Sequence, residues 1–223
     1  MTRWLIYLLG VMLFIAVAAQ AEELGKTTVA LDGRQVSTQE TNYGNFVADA
    51  VRDAGAAQIA ILHAMAFRAD ALIDKGTVDE NAIRRTIASP SSTIVVLQLT
   101  PAILHAVMVR ALSRSPNPNI AFLQVSGMQV VFDKTLPAAT RVKSIIVAGH
   151  ALDFADTQTI FKVAMPRELA AGAAGYVIDF TEDVLKTLKK TNITVLDAIA
   201  KEFQHLDGAI NPAIEERLKS VKA

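Results

Sequence analysis

Apolar positions along this chain recur with two different periods, and the segments separate cleanly on them. In Gly44 to Ala54, Phe46, Val47, Ala50 and Val51 recur at helical spacing, while Asp49, Arg52 and Asp53 fall elsewhere, which predicts an amphipathic helix. Ile59 to Leu62 is a short apolar run and predicts a buried strand. Thr93 to Leu99 is rich in β-branched residues and predicts another. Thr100-Pro101 then opens a helix, Thr as N-cap and Pro at the first helical position. Ile103, Leu104, Val107, Met108, Ala111 and Leu112 give that helix one apolar face. Ala82 to Arg85 is too short for its period to be read.

Arg114 to Asn119, with Pro116 and Pro118, reads as a loop. Ala121 to Phe132 is strand-like but interrupted at Ser126-Gly127, which predicts a bulge or tight bend. Arg141 to Val147 and Thr159 to Met165 are further strands, with Ala148-Gly149-His150 a turn between them. Glu168 to Tyr176, rich in Ala and Gly, predicts a short helix and turn, and Thr181 to Lys190 a helix. Thr194 with Asp197 three positions on has the form of a capping box and opens a helix through Phe203. Asn211-Pro212 would cap a last helix, Ala213 to Ser220, on propensity alone. With no repeat or linker, the expected fold class is α/β (α+β), a mixed sheet flanked by helices in one domain.

The start of the chain has a different pattern. Arg3 precedes an uncharged, mostly apolar run from Trp4 to Val17, then Ala19-Gln20-Ala21 and the acidic pair Glu22-Glu23. That is the layout of a secretory signal peptide, and the run falls short of the roughly 20 residues a spanning helix needs. Residues 1–21 are expected to be cleaved and 22–223 to form an exported domain, periplasmic in the simplest case, touching the membrane only through the export signal. Hydrophobic residues at 52% and charged ones at 20% exclude a disordered chain. Basic and acidic residues balance at 22 each, which gives no basic surface for nucleic acid. Absence of cysteine removes disulfides, zinc thiolates and a Cys nucleophile.

Several segments, in order and in spacing, resemble the C-terminal, substrate-binding domain of the 5′-nucleotidase family. Glu40 to Asp53, ETNYGNFVADAVRD, is similar to that domain's opening E-T-N-x-G-N-x-x-A-D-A. Ile59 to Asp70, IAILHAMAFRAD, is similar to its strand followed by N-G-G-G-I-R. Gly76 to Leu112 matches in its G-x-V, strand and helix, and Phe122 to Asp133, FLQVSGMQVVFD, matches F-L-Q-V-x-G. Phe161 to Tyr176, FKVAMPRELAAGAAGY, is similar to Y-x-V-A-x-x-x-F-x-A-x-G-G-D-G-Y. Asn211 to Leu218 resembles the closing P-x-x-x-G-R-I, which the family makes extended, against the helix that propensity predicts.

The resemblance implies a domain that binds a nucleotide's base and sugar beside a two-metal metallophosphoesterase domain. Only Glu22 to Gln39 lies between the export segment and the opening block, and the family's D-x-H, G-D and G-N-H-[DE] metal motifs do not occur together here. The four histidines, His63, His105, His150 and His205, fall in different elements without a pair at ligand spacing. The sequence therefore implies no catalytic residue, no metal and no cofactor.

Ligand-binding residues carried over by motif are Phe122, at the family's first base-stacking Phe, and Arg68, at the Arg of N-G-G-G-I-R. Phe122 also reads as a core residue, and Arg68 as a surface residue or a partner of Asp70. The other positions of the pocket depart. His63 replaces the Asn, and Ala64, Met65 and Ala66 replace three glycines, which would allow close backbone approach to a ligand. Glu168 replaces the second stacking Phe and would repel phosphate. Ala173-Ala174 replace a Gly-Asp pair, and Ser37 and Gln39 stand where the family often has Arg. His63 also reads as a packed, hydrogen-bonded histidine. Asn42, Gly44, Asn45 and Asp49 read as serving the fold by capping the first helix.

The expected function is a non-catalytic binding module for a nucleoside-like or other small ligand, or for a protein. One alternative is the specificity part of a nucleotide-hydrolysing assembly, acting in nucleotide catabolism with a metallophosphoesterase partner. The other is a structural domain without ligand.

Overall fold

The computed structural model describes residues 21–221. The expected export signal, residues 1–21, lies outside the described residues but for its last position. In chain order the elements are β1 (Glu23–Thr27), β2 (Leu31–Asp32), α1 (Asn42–Ala54), β3 (Ile59–His63), β4 (Leu72–Ile73), β5 (Gly76–Asp79), α2 (Glu80–Thr86), β6 (Thr93–Leu99) and α3 (Pro101–Ala111). There follow β7 (Leu123–Ser126), β8 (Gln129–Phe132), β9 (Val142–Val147), β10 (His150–Ala151), β11 (Phe161–Pro166), α4 (Arg167–Ala170), α5 (Glu182–Leu185), β12 (Lys189–Thr194), α6 (Val195–His205), β13 (Ala209–Ile210) and β14 (Leu218–Ser220). Short 3-10 turns occupy Ala64–Ala66, Ala138–Thr140 and Ala173–Ile178.

The centre is a five-stranded mixed sheet in the order β12-β6-β11-β3-β7, with β11 and β3 parallel and the other pairs antiparallel. Every residue of β3 is buried, which explains why its sequence is a continuous apolar run rather than an alternation. Helix α1 packs on β3 and β7 and against α6, where Phe46 meets Phe203 edge to face at 5.2 Å. A four-stranded sheet, β10-β9-β8-β14, stands beside the first.

The predicted bend at Ser126-Gly127 is where the chain changes sheets: β7 pairs with β3, and β8 pairs with β9 and β14. Gly127 has φ +75°, and a Cβ there would lie 1.9 Å from the Gln58 carbonyl oxygen, so only glycine fits. Ala148 and Gly149, both left-handed, form the two-residue turn of the β9–β10 hairpin.

The caps expected at Thr100 and Thr194 are present, but α1 is capped by Thr41, whose side chain accepts from the Gly44 amide, and not by the side chains of Asn42, Asn45 or Asp49. Thr100 accepts from the Ile103 amide, and Thr194 and Asp197 form both halves of the capping box. Ala82 to Arg85 proves helical within α2, because the Asp79 carboxylate accepts from the Ala82 amide at 2.7 Å.

Two sequence expectations are corrected. The helix expected over Thr181 to Lys190 is only the single turn α5; Lys189 and Lys190 instead pair with β6, whose outer edge would otherwise be unpaired. The helix expected over Ala213 to Ser220 is absent. That tail is extended and ends in β14, parallel to β8.

The tail is held by the E-T-N-x-G-N block, which does more than cap α1. Buried Glu40 accepts from the amides of Glu215 and Leu218 and from Asn45 Nδ2. Asn45 also donates to the Ala213 carbonyl, and Arg217 grips Asp49 through two bonds of 2.8 and 2.9 Å. Gly44 lets Gln124 approach, since a Cβ there would lie 2.2 Å from its Oε1, and Gln124 in turn accepts from the Thr41 amide. No helix among the described residues is long and apolar enough to cross a membrane.

Candidate functional site

The C-terminal ends of β3 and β11, the turn before β6 and the start of α6 enclose a cavity of about 210 Å³. His63, Met65, Ala66, Ile87, Ser92, Glu168, Ala173 and Val195 are among the residues that line it. His63, the last residue of β3, is 5% exposed, and its Nδ1 is buried without a hydrogen-bond partner. Burial pushes the imidazole down to about 4, against a smaller upward pull from Glu168. His63 is therefore neutral at physiological pH.

Glu168 lies in the first turn of α4, directly after Pro166 ends β11. The buried Ser92 hydroxyl donates to its Oε2. That bond fixes the carboxylate at the rim and leaves its second oxygen able to accept from a ligand. Ser92 is placed by the β6 N-terminus and by the Val195 amide, which donates to its carbonyl at 2.9 Å.

The apolar lining comes from the departures in sequence. Ala64–Ala66 form a 3-10 turn, and none of the three adopts a left-handed φ, so the freedom of glycine is unused in this chain. Met65 and Ala66 instead turn side chains onto the cavity. Ala173 follows Gly172 at φ +95° and precedes Ala174 at φ +55°, a conformation that places the Ala173 methyl on the opposite wall. The cavity thus offers an apolar surface, one neutral imidazole, one hydroxyl and one carboxylate. A phosphate brought here would meet the carboxylate and no cation.

Of the residues expected from sequence, His63 and Glu168 come together in this cavity, and Phe122 and Arg68 do not. Phe122 is 1% exposed; its carbonyl accepts from the Ala64 amide at 2.8 Å, and its ring borders a separate open hollow with Ser37, Phe132 and Leu218. Phe122 and Glu168 thus line different hollows. Arg68 is exposed, forms no ion pair with Asp70 or another acid among the described residues, and is bound through its amide to the Thr86 carbonyl at 2.9 Å. Ser92 went unseen in the sequence. A serine in the run Ser89-Pro90-Ser91-Ser92 reads as turn composition, and its partner lies on a distant element.

A mixed α/β domain with its cavity at the ends of the central strands is the class that this fold defines. The chain belongs to the family described as 5′-nucleotidase, C-terminal domain, which it matches over residues 17–181. It is 29% identical over 208 residues to the trifunctional nucleotide phosphoesterase protein YfkN of Bacillus subtilis (strain 168), covering 90% of this chain and 14% of that protein. It is 26% identical to the 5′-nucleotidase of Diplobatis ommata, covering 90% of this chain and 37% of that one. The chain therefore spans well under half the length of these relatives. Among solved structures, the 5′-nucleotidase precursor of Thermus thermophilus superposes with a TM-score of 0.79 at 23% identity, over 91% of this chain and 40% of that one. The NAD nucleotidase of Haemophilus influenzae superposes with 0.72 at 17% identity, over 90% and 38%. At these identities the likeness speaks for the fold.

Proposed function

We propose that this domain binds a small, phosphate-free ligand in the cavity between His63 and Glu168 and does not itself hydrolyse nucleotides. The observation that carries the reading is the lining: an apolar cavity whose single charge is a carboxylate. A ligand donating a hydrogen bond to Glu168 and laying an apolar face on Met65, Ala66 and Ala173 complements the carboxylate and the apolar wall; a nucleoside's base fits that description better than a nucleotide's phosphate does. Residues 1–21 would direct export, which puts the domain in the periplasm. N-terminal sequencing of the protein recovered from cells should then begin at Glu22, and a first residue upstream of Ala19 contradicts this part of the reading.

The test is a thermal-shift screen with nucleobases, nucleosides, their 5′-monophosphates and simple amines. Binding to the folded state raises the midpoint by mass action, by about 2.7 kcal/mol of stability at a hundredfold excess over the dissociation constant. The reading predicts a shift with phosphate-free compounds that Ala173→Phe abolishes by filling the cavity. A shift confined to 5′-monophosphates sinks it.

A second reading has one observation in its favour. Arg68, exposed and without an acidic partner among the described residues, is free to meet an anion outside the cavity. The domain would then be the substrate-recognising part of a nucleotide-hydrolysing assembly whose metallophosphoesterase supplies the chemistry. Under this reading Arg68→Ala weakens binding of 5′-monophosphates and leaves nucleosides unaffected.

A further inference from the structure

We infer that Met65 is an oxidation site at the mouth of the His63 cavity, where a peroxide converts its thioether to the sulfoxide and removes the apolar face on which a ligand would lie. That Met65 is the site rests on exposure and position alone; that oxidation blocks binding rests on the function proposed for the cavity.

Among the described residues, Met108 lies on the buried face of α3, Met128 follows Gly127 where the chain changes sheets, and Met165 stands in β11. None of these three is more than 5% exposed, whereas Met65 is 48% exposed. The cause is local. Ala64 and Ala66, on either side of Met65 in the 3-10 turn, are both buried, so the middle residue of the turn is the one presented outward. A peroxide must reach the sulfur to react, and oxidation therefore follows exposure. In the step, one S–O bond forms and the peroxide O–O bond breaks. Sulfur is oxidised by two electrons, and the second peroxide oxygen leaves as water, with the proton of the transferred hydroxyl.

Position gives the modification a consequence. Met65 lines the cavity with Ile87, Pro166, Ala173 and Val195, which offer a sulfoxide oxygen no side-chain donor. Ser92 already donates to Glu168, and Glu168 is itself an acceptor. A sulfoxide thus turns a flexible apolar side chain into a polar one against an apolar wall, where an acceptor without a donor is unfavourable. His63 lines the same cavity, and its Nδ1 is buried without a partner, so its ring is the natural reporter of a new acceptor there. Glycine, the residue that the resemblance implies at this position, has no sulfur, so the sensitivity belongs to this chain's own departure from the motif.

The test treats the full folded chain with hydrogen peroxide and follows oxygen uptake by mass spectrometry. Trypsin places the four methionines in separate peptides, Asp53–Arg68, Thr86–Arg110, Ser115–Lys134 and Val163–Arg167. The peptide with Met65 should gain one oxygen atom at least roughly tenfold faster than the other three, and all four should react alike in denaturant. In the oxidised protein the imidazole NMR signals of His63 should shift more than those of His105, His150 and His205, and methionine sulfoxide reductase should restore them. Met65→Leu nearly conserves volume and has no sulfur, so peroxide should leave its His63 signals in place. Any nucleoside-dependent rise in the thermal midpoint should be lost in the oxidised parent and kept in peroxide-treated Met65→Leu. Equal rates for the four peptides in the folded protein, or His63 signals unmoved once Met65 is oxidised, overturn the inference. Both readouts need no ligand, so they are separate from a thermal-shift screen that finds none.

Discussion

His63 carries the clearest consequence at the scale of single residues. Its imidazole titrates near 4 in the folded state and near 6.5 when unfolded. The unfolded chain therefore binds more protons between those values, and stability is lost as pH falls through that window, in full only below about 4. The shift corresponds to roughly 3 kcal/mol at the acid end. Urea unfolding at pH 7 and at pH 4.5 should show the loss in the parent and a smaller one in His63→Gln. Equal losses in the two proteins would mean that the buried imidazole is not the group responsible. The raised pKa of Glu202 works in the opposite direction, which is why the comparison with the variant, rather than the parent's slope, is the informative quantity.

Among the elements, the join between the two larger sheets and the attachment of the C-terminal tail matter most. Gly127 turns the chain from β7 into β8 with a left-handed backbone against the Gln58 carbonyl. Gly127→Ala adds both backbone strain and a clash, and should cost about 2 kcal/mol or more in denaturant unfolding; a neutral result would show that the join relaxes freely. The tail is held to α1 by Glu40, Asn45 and the Arg217–Asp49 pair. Arg217→Met leaves the Asp49 carboxylate without its partner and should cost ~2–3 kcal/mol, with amide exchange of Leu218 to Ser220 accelerated more than that of β3. Uniform acceleration across both strands would argue that the tail is not a separable unit.

For the molecule as a whole, legibility followed the range of the forces involved. The elements α1, β3, β6 and α3, the N-caps at Thr100 and Thr194 and the bend at Gly127 rest on local pattern, and the sequence displays them. Lys189-Lys190 and Ala213 to Ser220 read as helix in the sequence because their partners, the edge of β6 and the side chain of Glu40, are far away along the chain. The same limit applies to the site. Motif positions place Phe122 and Arg68 along the chain but do not say which wall a ring faces. His63 and Glu168 meet only through the parallel pairing of β3 with β11, and Ser92 joins them from the next strand.

Whether that cavity takes a phosphate-free ligand is tested most directly by one measurement: the thermal midpoint of the parent and of Ala173→Phe with adenosine, cytidine, guanosine and uridine and with each matching 5′-monophosphate. The predicted result is a rise with at least one nucleoside that exceeds the rise with its monophosphate and disappears in Ala173→Phe. A larger rise with the monophosphates, or a rise that the filled cavity leaves intact, would contradict it.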